Sequence, residues 1–362
     1  MKGDTLPAIM THDFFGKDAY SSASTQLGLL SLAEHDAFLL GNQGPDPLFY
    51  LLADPQVPAS NRIGDLMHSV RPARLLVSLH DALSMLSRSE ASVGRAYAAG
   101  FLCHYALDSA MHPLVYFNEY AICDAGVEGL DRRDGGLVHA EVERDFDEMV
   151  LYTKLHKTVA DYKPYKEVLA ADDPTLAVID KLFFYMALWT YSRTLDLDCY
   201  THAVKAFRLV QHLFYSPGQR KTAVLSPLER AFTHNRYSLY HAMAHRDRAE
   251  LTSDFDNHEH QAWRNPFTGE ESTTSFWDIY EDALEGVTSL HDRFFERDFD
   301  LEDAEEITGN LNFSGQPTDP DDTEEPHEPP VGNLSISRSY NDALHVRQSP
   351  ILDYSKLKAH PC

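Results

Sequence analysis

His104, Asp108 and His112 recur at four-residue steps in the run Tyr97-Ala-Ala-Gly-Phe-Leu-Cys-His104-Tyr-Ala-Leu-Asp108-Ser-Ala-Met-His112-Pro113. Each four-residue step rotates only about 40° around a helix, so the three side chains form one stripe. Everything around that stripe is Ala, Phe, Leu, Tyr or Met, and no Lys or Arg lies between Tyr97 and Leu114. A helix apolar on all sides belongs in a core. A lone carboxylate there costs many kcal/mol, on the order of tens in the idealised Born limit, unless it is paired or neutralised. Either a distant base or a metal ion must therefore compensate Asp108, and two imidazoles on the same stripe favour the metal.

Further residues of the same chemistry surround this stripe. His139-Ala-Glu-Val-Glu143 sets His139 and Glu143 four apart on the next expected helix, with Glu141 turned away. Upstream, His12 lies in Thr11-His-Asp-Phe-Phe, Asp46 in the turn Gly44-Pro-Asp-Pro47, and His68 just before Arg71-Pro72. Imidazole nitrogen with carboxylate oxygen suits zinc, and a site that keeps a position open for water is a catalytic one. The remaining histidines carry less. His241 and His245, with His234 two turns earlier, are followed by Arg246 and Arg248 and read as a surface segment. His258 and His260 precede Trp263 near an expected cleft mouth. The dipeptides His80-Asp81 and His291-Asp292 lack the companions a phosphohydrolase of that type needs.

These residues have to be positioned by helices. Helical periodicity dominates, with candidate helices at Ser24–Asn42, Ile63–Arg71, Arg74–Ser87, Glu90–His112, Val138–Lys157, Leu176–Leu195, Asp198–Ser216, Pro227–Arg248 and Thr274–Arg297. Pro113 is expected to end or kink its helix just after His112. The aromatic run Phe183–Trp189 reads as core. We expect an all-α, multi-helix bundle with a multinuclear metal cluster: one helical domain over 1–317, its ligands within 6–150 and a helical extension over 151–317. Acids are dense from Glu296 to Glu306. From Asp319 to Pro330 there are six acids, four prolines and no Lys or Arg. An acidic, disordered tail is therefore expected over 318–362.

The formal net charge of −25 disfavours long nucleic acids and anionic lipid surfaces, but leaves room for a small substrate held by metal. Cys103, Cys123, Cys199 and Cys362 show neither metal nor disulfide spacing. With no signal peptide or membrane-spanning run, the expectation is a cytoplasmic protein with free thiols.

In order along the chain, His12, Asp46, His68, His104, Asp108, His112, His139 and Glu143 resemble the ligand series of the zinc-dependent phospholipase C family. Pro7-Ala-Ile-Met-Thr-His-Asp-Phe-Phe-Gly16, Trp263-Arg-Asn-Pro-Phe-Thr-Gly269 and Ser275-Phe-Trp277 look like its cytoplasmic branch. The resemblance implies an all-α bundle with three zinc ions in a cleft. One would be held by Asp46, His68, His104 and Asp108, a second by His112, His139 and Glu143, and a third by His12 with a bridging Asp108. Secreted members complete the third site with an N-terminal Trp. This chain opens with Met1-Lys2, so two or three ions are expected, with His35 as a substitute ligand. Asp46 would also orient the attacking water, and the reaction would be hydrolysis of a phosphate ester, such as a phospholipid-like phosphodiester. Two other readings stay open: a nuclease or nucleotidase with a similar cluster, and a metal-stabilised scaffold without turnover.

Overall fold

Helix α5, Ala91–Cys123, is the axis of the molecule. The computed structural model describes residues 8–53, 62–125, 130–233 and 237–322, and around α5 it is almost entirely helical. Every residue from Ala96 to Tyr105 is buried, on all sides of α5, as its lack of a polar face requires. Helix α1 (Ile9–Leu27), α2 (Leu32–Gly41), α6 (Gly135–Leu155) and α12 (Phe276–Phe294) pack around it. The crossing with α2 is close. A Cβ on Gly100 would collide with the Phe38 carbonyl oxygen, and one on Gly41 with the Tyr97 carbonyl oxygen. Both positions need glycine for the two backbones to touch.

Several helices differ from the expected spans. The segment Ser24–Asn42 is two helices. Gly28 takes a left-handed conformation (φ 69°) and ends α1, and Ser31 restarts α2 through a capping box with Glu34. Pro113 does not end α5, which runs on to Cys123. Tertiary packing around this buried stretch outweighs the lost backbone hydrogen bond. Likewise Pro227 lies inside α10 (Arg220–Thr233). The expected helix Pro227–Arg248 resolves into α10 and the short α11 (Leu239–Met243), which Ser238 caps.

Between α2 and α5 come the 3-10 turn Asp46–Ala53, α3 (Ile63–Ser69) and α4 (Pro72–Leu83), the last opening on a proline at its first position. After α6 follow α7 (Pro164–Glu167), α8 (Asp173–Tyr191) and α9 (Cys199–Phe214). Trp263–Arg264 pairs antiparallel with Glu271–Ser272 as β1 and β2. The acid-rich stretch after Glu296 forms α13 (Leu301–Thr308), capped by Asp300. One hydrophobic core runs from Ile9 to Phe313 and includes Phe183 and Met186, although Trp189 is 43% exposed.

The expected disordered tail needs correction at its start. Thr318 donates its amide and hydroxyl to the Asn310 carbonyl, and Arg71 reaches the carbonyls of Asp321 and Asp322. Asp319, Asp321 and Asp322 form a capped turn that Arg74 also contacts. The chain is thus held down by backbone and arginine contacts through 322, and 323–362, with Cys362, lies outside the described residues.

Candidate metal centre

α5 brings His104, Asp108 and His112 into the interior as one stripe. The turn after α2 adds Asp46, α3 adds His68, and α6 adds His139 and Glu143. Gly44, at φ 47°, makes that turn possible, since a Cβ there would strike the His104 ring. Two groups of donors result. Those of Asp46, His68, His104 and Asp108 all lie within 4.8 Å of one another, as do those of His112, His139 and Glu143. His68 Nε2 is 2.8 Å from Asp46 Oδ1, and His104 Nε2 is 3.2 Å from Asp108 Oδ2 and 3.6 Å from Asp46 Oδ1. In the second group Glu143 Oε1 lies 3.4 Å from His112 Nε2 and 3.3 Å from His139 Nε2. A four-coordinate ion with bonds of about 2.1 Å spaces its ligands roughly 3.4 Å apart, so both groups could hold a metal ion.

The outward nitrogens argue the same way. His68 Nδ1 donates to the Gly64 carbonyl (2.8 Å), His104 Nδ1 faces the Asn42 carbonyl (3.2 Å), and His112 Nδ1 donates to the Phe313 carbonyl (2.9 Å). His139 Nδ1 donates to Glu119 Oε2 at 2.9 Å. With every Nδ1 engaged, each Nε2 is left to present a lone pair inward, the arrangement that metal-binding imidazoles use. Asp46 Oδ2, His104 Nε2, His139 Nε2 and Glu143 Oε2 are buried without any hydrogen-bond partner. Four orphaned polar atoms in one place need an explanation, and a cation supplies it. Among the described residues no Lys or Arg makes an ion pair with Asp46, Asp108 or Glu143.

Charge follows the geometry. Burial drives His104 down to about 4, the neutral form that a ligand needs. Burial opposes the Asp108 charge, yet His104, His112 and His12 together hold that carboxyl well below the usual range. Glu143 is likewise held at about 2 against burial, by His139 and His112. His139 is raised to about 10, with Glu143 and Glu119 outweighing its burial. His12 is raised to about 9, mainly by Asp108 against burial.

His12 joins the centre at its edge. Its Nε2 is 3.0 Å from Asp108 Oδ1 and its Nδ1 3.2 Å from His104 Nδ1, outside both groups. A cavity of about 20 Å³ is lined by His12, Asp108, His112 and Glu143, together with Leu107, Met111 and Phe276. That is room for about one water or ion. His35 stands apart, bonded to Asp36 and edge-on to Tyr20. Only His68 and His112 show solvent an appreciable face, with side chains 12% and 14% exposed.

Three contributors lie outside the expected ligand series. Glu119 was detectable, because it continues the α5 stripe about three turns beyond Asp108. Asp147 extends the His139/Glu143 stripe by one turn and caps α1, accepting from the amides of Met10 (3.1 Å) and Thr11 (2.7 Å) just before His12. Phe313 had no local signal.

The other histidines have structural partners. His245 is buried and bonds Asp147, and α11 ends before it, so His241 and His245 share no helical stripe. The segment after it is exposed at Asp247, Ala249 and Glu250, but Arg246 and Arg248 turn back to pair with Asp145 and Glu148, and Arg144 is buried against Glu141. His258 bonds Asp256, His80 packs on Phe294 and Phe299, and His291 donates to the Ala99 carbonyl. His234 lies outside the described residues. The Trp263 hairpin bears on the centre through Phe267, which packs edge-on to Tyr116, itself edge-on to His139.

No family model, curated protein or solved structure matches this chain.

Proposed function

We propose that the protein is a zinc-dependent hydrolase of phosphate esters, a phospholipase C-like phosphodiesterase acting in the cytoplasm on a small phosphate-ester or phospholipid-like substrate. The observation that carries this reading is the convergence of four imidazole Nε2 atoms and three carboxylates, four of those atoms being buried without hydrogen-bond partners. Asp46, His68, His104 and Asp108 would hold one ion and His112, His139 and Glu143 a second, with His12 beside Asp108 as an edge ligand. When bound, zinc ions supply the Lewis acidity that makes a water nucleophilic near neutral pH and offset charge on a phosphoryl group. The chain's own part is to fix seven ligands, to place Asp46 where it would orient a water, and to leave His68 and His112 as the two ligands that solvent partly reaches. No helix of the described residues is long and apolar enough to cross a membrane.

The test is metal content per chain for the wild type and Asp108→Asn, followed by a phosphodiester screen with and without chelator. Two or three zinc ions, falling sharply in the variant, with chelator-sensitive turnover, are the expected result. One observation favours a second reading, that of a metal-stabilised scaffold: five of the seven ligands are almost fully buried. Chelation that unfolds the protein, with no substrate ever turned over, would decide for the scaffold.

A further inference from the structure

The ligands come from residues 46–143, yet the wall closing the centre on its His68–His112 side comes from the segment 309–318, far along the chain. Phe313 sits at the middle of that segment, is only 1% exposed, and touches both groups of ligands. Its amide donates to the His68 carbonyl (3.1 Å) and its carbonyl accepts from His112 Nδ1 (2.9 Å). Its ring centroid is 5.1 Å from that of His68 and 5.6 Å from that of His104. The segment is pinned independently of Phe313. Tyr105 donates its hydroxyl to the Leu311 carbonyl (2.7 Å), Asn312 donates to the Ser69 carbonyl (3.1 Å), and Leu311 bridges to Pro317. Gly315, at φ 69°, lies so close to α5 that a Cβ there would collide with the Ser109 carbonyl oxygen. That oxygen is the one Pro113 leaves without its helical amide partner, so the departure from helix regularity is where the loop seats.

We propose that this loop is a clasp for the metal centre and that Phe313 is a positioning residue. Its carbonyl fixes the ring of His112 so that Nε2 meets Glu143, and its ring backs His68 and His104. The inference rests on the metal reading above and assigns a structural cause to metal affinity that no ligand residue supplies.

The experiment is competition for zinc between the full chain and a chromophoric chelator, together with the visible spectrum of the cobalt(II) form. Phe313→Ala keeps the carbonyl that faces His112 but removes the ring that backs His68 and His104 and seats that carbonyl, and is expected to weaken zinc binding by roughly 10-fold, the lower end of the loss seen when a ligand's outer support is removed. Phe313→Leu should restore part of that loss. Tyr105→Phe, which removes only the hydroxyl that anchors Leu311, keeps the core shape and guards against simple failure to fold. It should also lower affinity and alter the cobalt(II) band. A wild type that binds two ions while all three variants bind them with affinity within about twofold and an unchanged spectrum would overturn the clasp alone. A wild type that binds no zinc would overturn the metal centre and the clasp together.

Discussion

The division of labour between the two ends of each imidazole is what makes the centre chemically specific. Glu119 shows it best, since this carboxylate touches no other ligand of the second group yet holds His139 from behind. Glu119→Gln keeps the shape and loses the charge, and zinc affinity at that group is expected to fall roughly tenfold or more, measured by chelator competition. Protons compete for the same nitrogens. His139 is raised to about 10 in the protein without ions, so a metal must displace its proton, whereas Glu143, at about 2, has none to release above pH 4. Zinc affinity of the second group should therefore rise with pH between 6 and 9, by about tenfold per unit for each proton displaced. The sign for stability runs the other way. The His139 contribution to the metal-free fold is complete below its ordinary value of 6.5 and is lost as pH rises through about 10. Flat affinity over that range would show that His139 is no ligand.

Elements hold these residues to register by close approach and capping. The Gly41–Gly100 crossing fixes how α2, and with it the turn carrying Asp46, sits on α5. Gly100→Ala is expected to destabilise the fold by about 1–3 kcal/mol or more, through overpacking against backbone, and to lower metal occupancy with it. Asp147→Ala removes the cap of α1 and should cost about 1–2 kcal/mol in a urea titration, with the larger effect on the stretch carrying His12. At this scale the sequence was readable where pattern and chemistry were local. The four-residue steps in α5 and α6 placed three imidazoles and two carboxylates on inward stripes, and α8, α9 and α12 fall close to their expected spans. It was unreadable where a neighbour decided the outcome. Pro113 ought to stop a helix, and continues one because the surrounding core holds it. Arg246 and Arg248 look solvated in sequence, and are drawn inward by Asp145 and Glu148 on α6. α1, with His12 near its start, was missed because the carboxylate that caps it belongs to α6.

For the whole molecule, charge and closure pull in opposite directions. A formal net charge of −25 strains any compact state by self-repulsion, and the buried centre adds three carboxylates that only imidazoles face. Chelation is expected to lower the thermal midpoint by several degrees, and added salt to recover part of the loss by screening the surface, which calorimetry at low and high ionic strength would show. Salt that leaves the midpoint of the chelated protein unmoved would mean that surface repulsion is not a large term. The loop around Phe313 also sets an order of events in the making of the protein. His112 and the carbonyl that steadies it are 201 residues apart. A ribosome extending the chain at 5–20 residues per second takes roughly 10–40 s to cover that interval. Once Glu143 has been added, for the larger part of that interval, every ligand already exists, while the wall that closes over them does not. If the centre holds metal as proposed, a nascent chain would be open to whichever divalent ion reaches it first, and the arrival of Phe313 would turn that exchangeable choice into a lasting one.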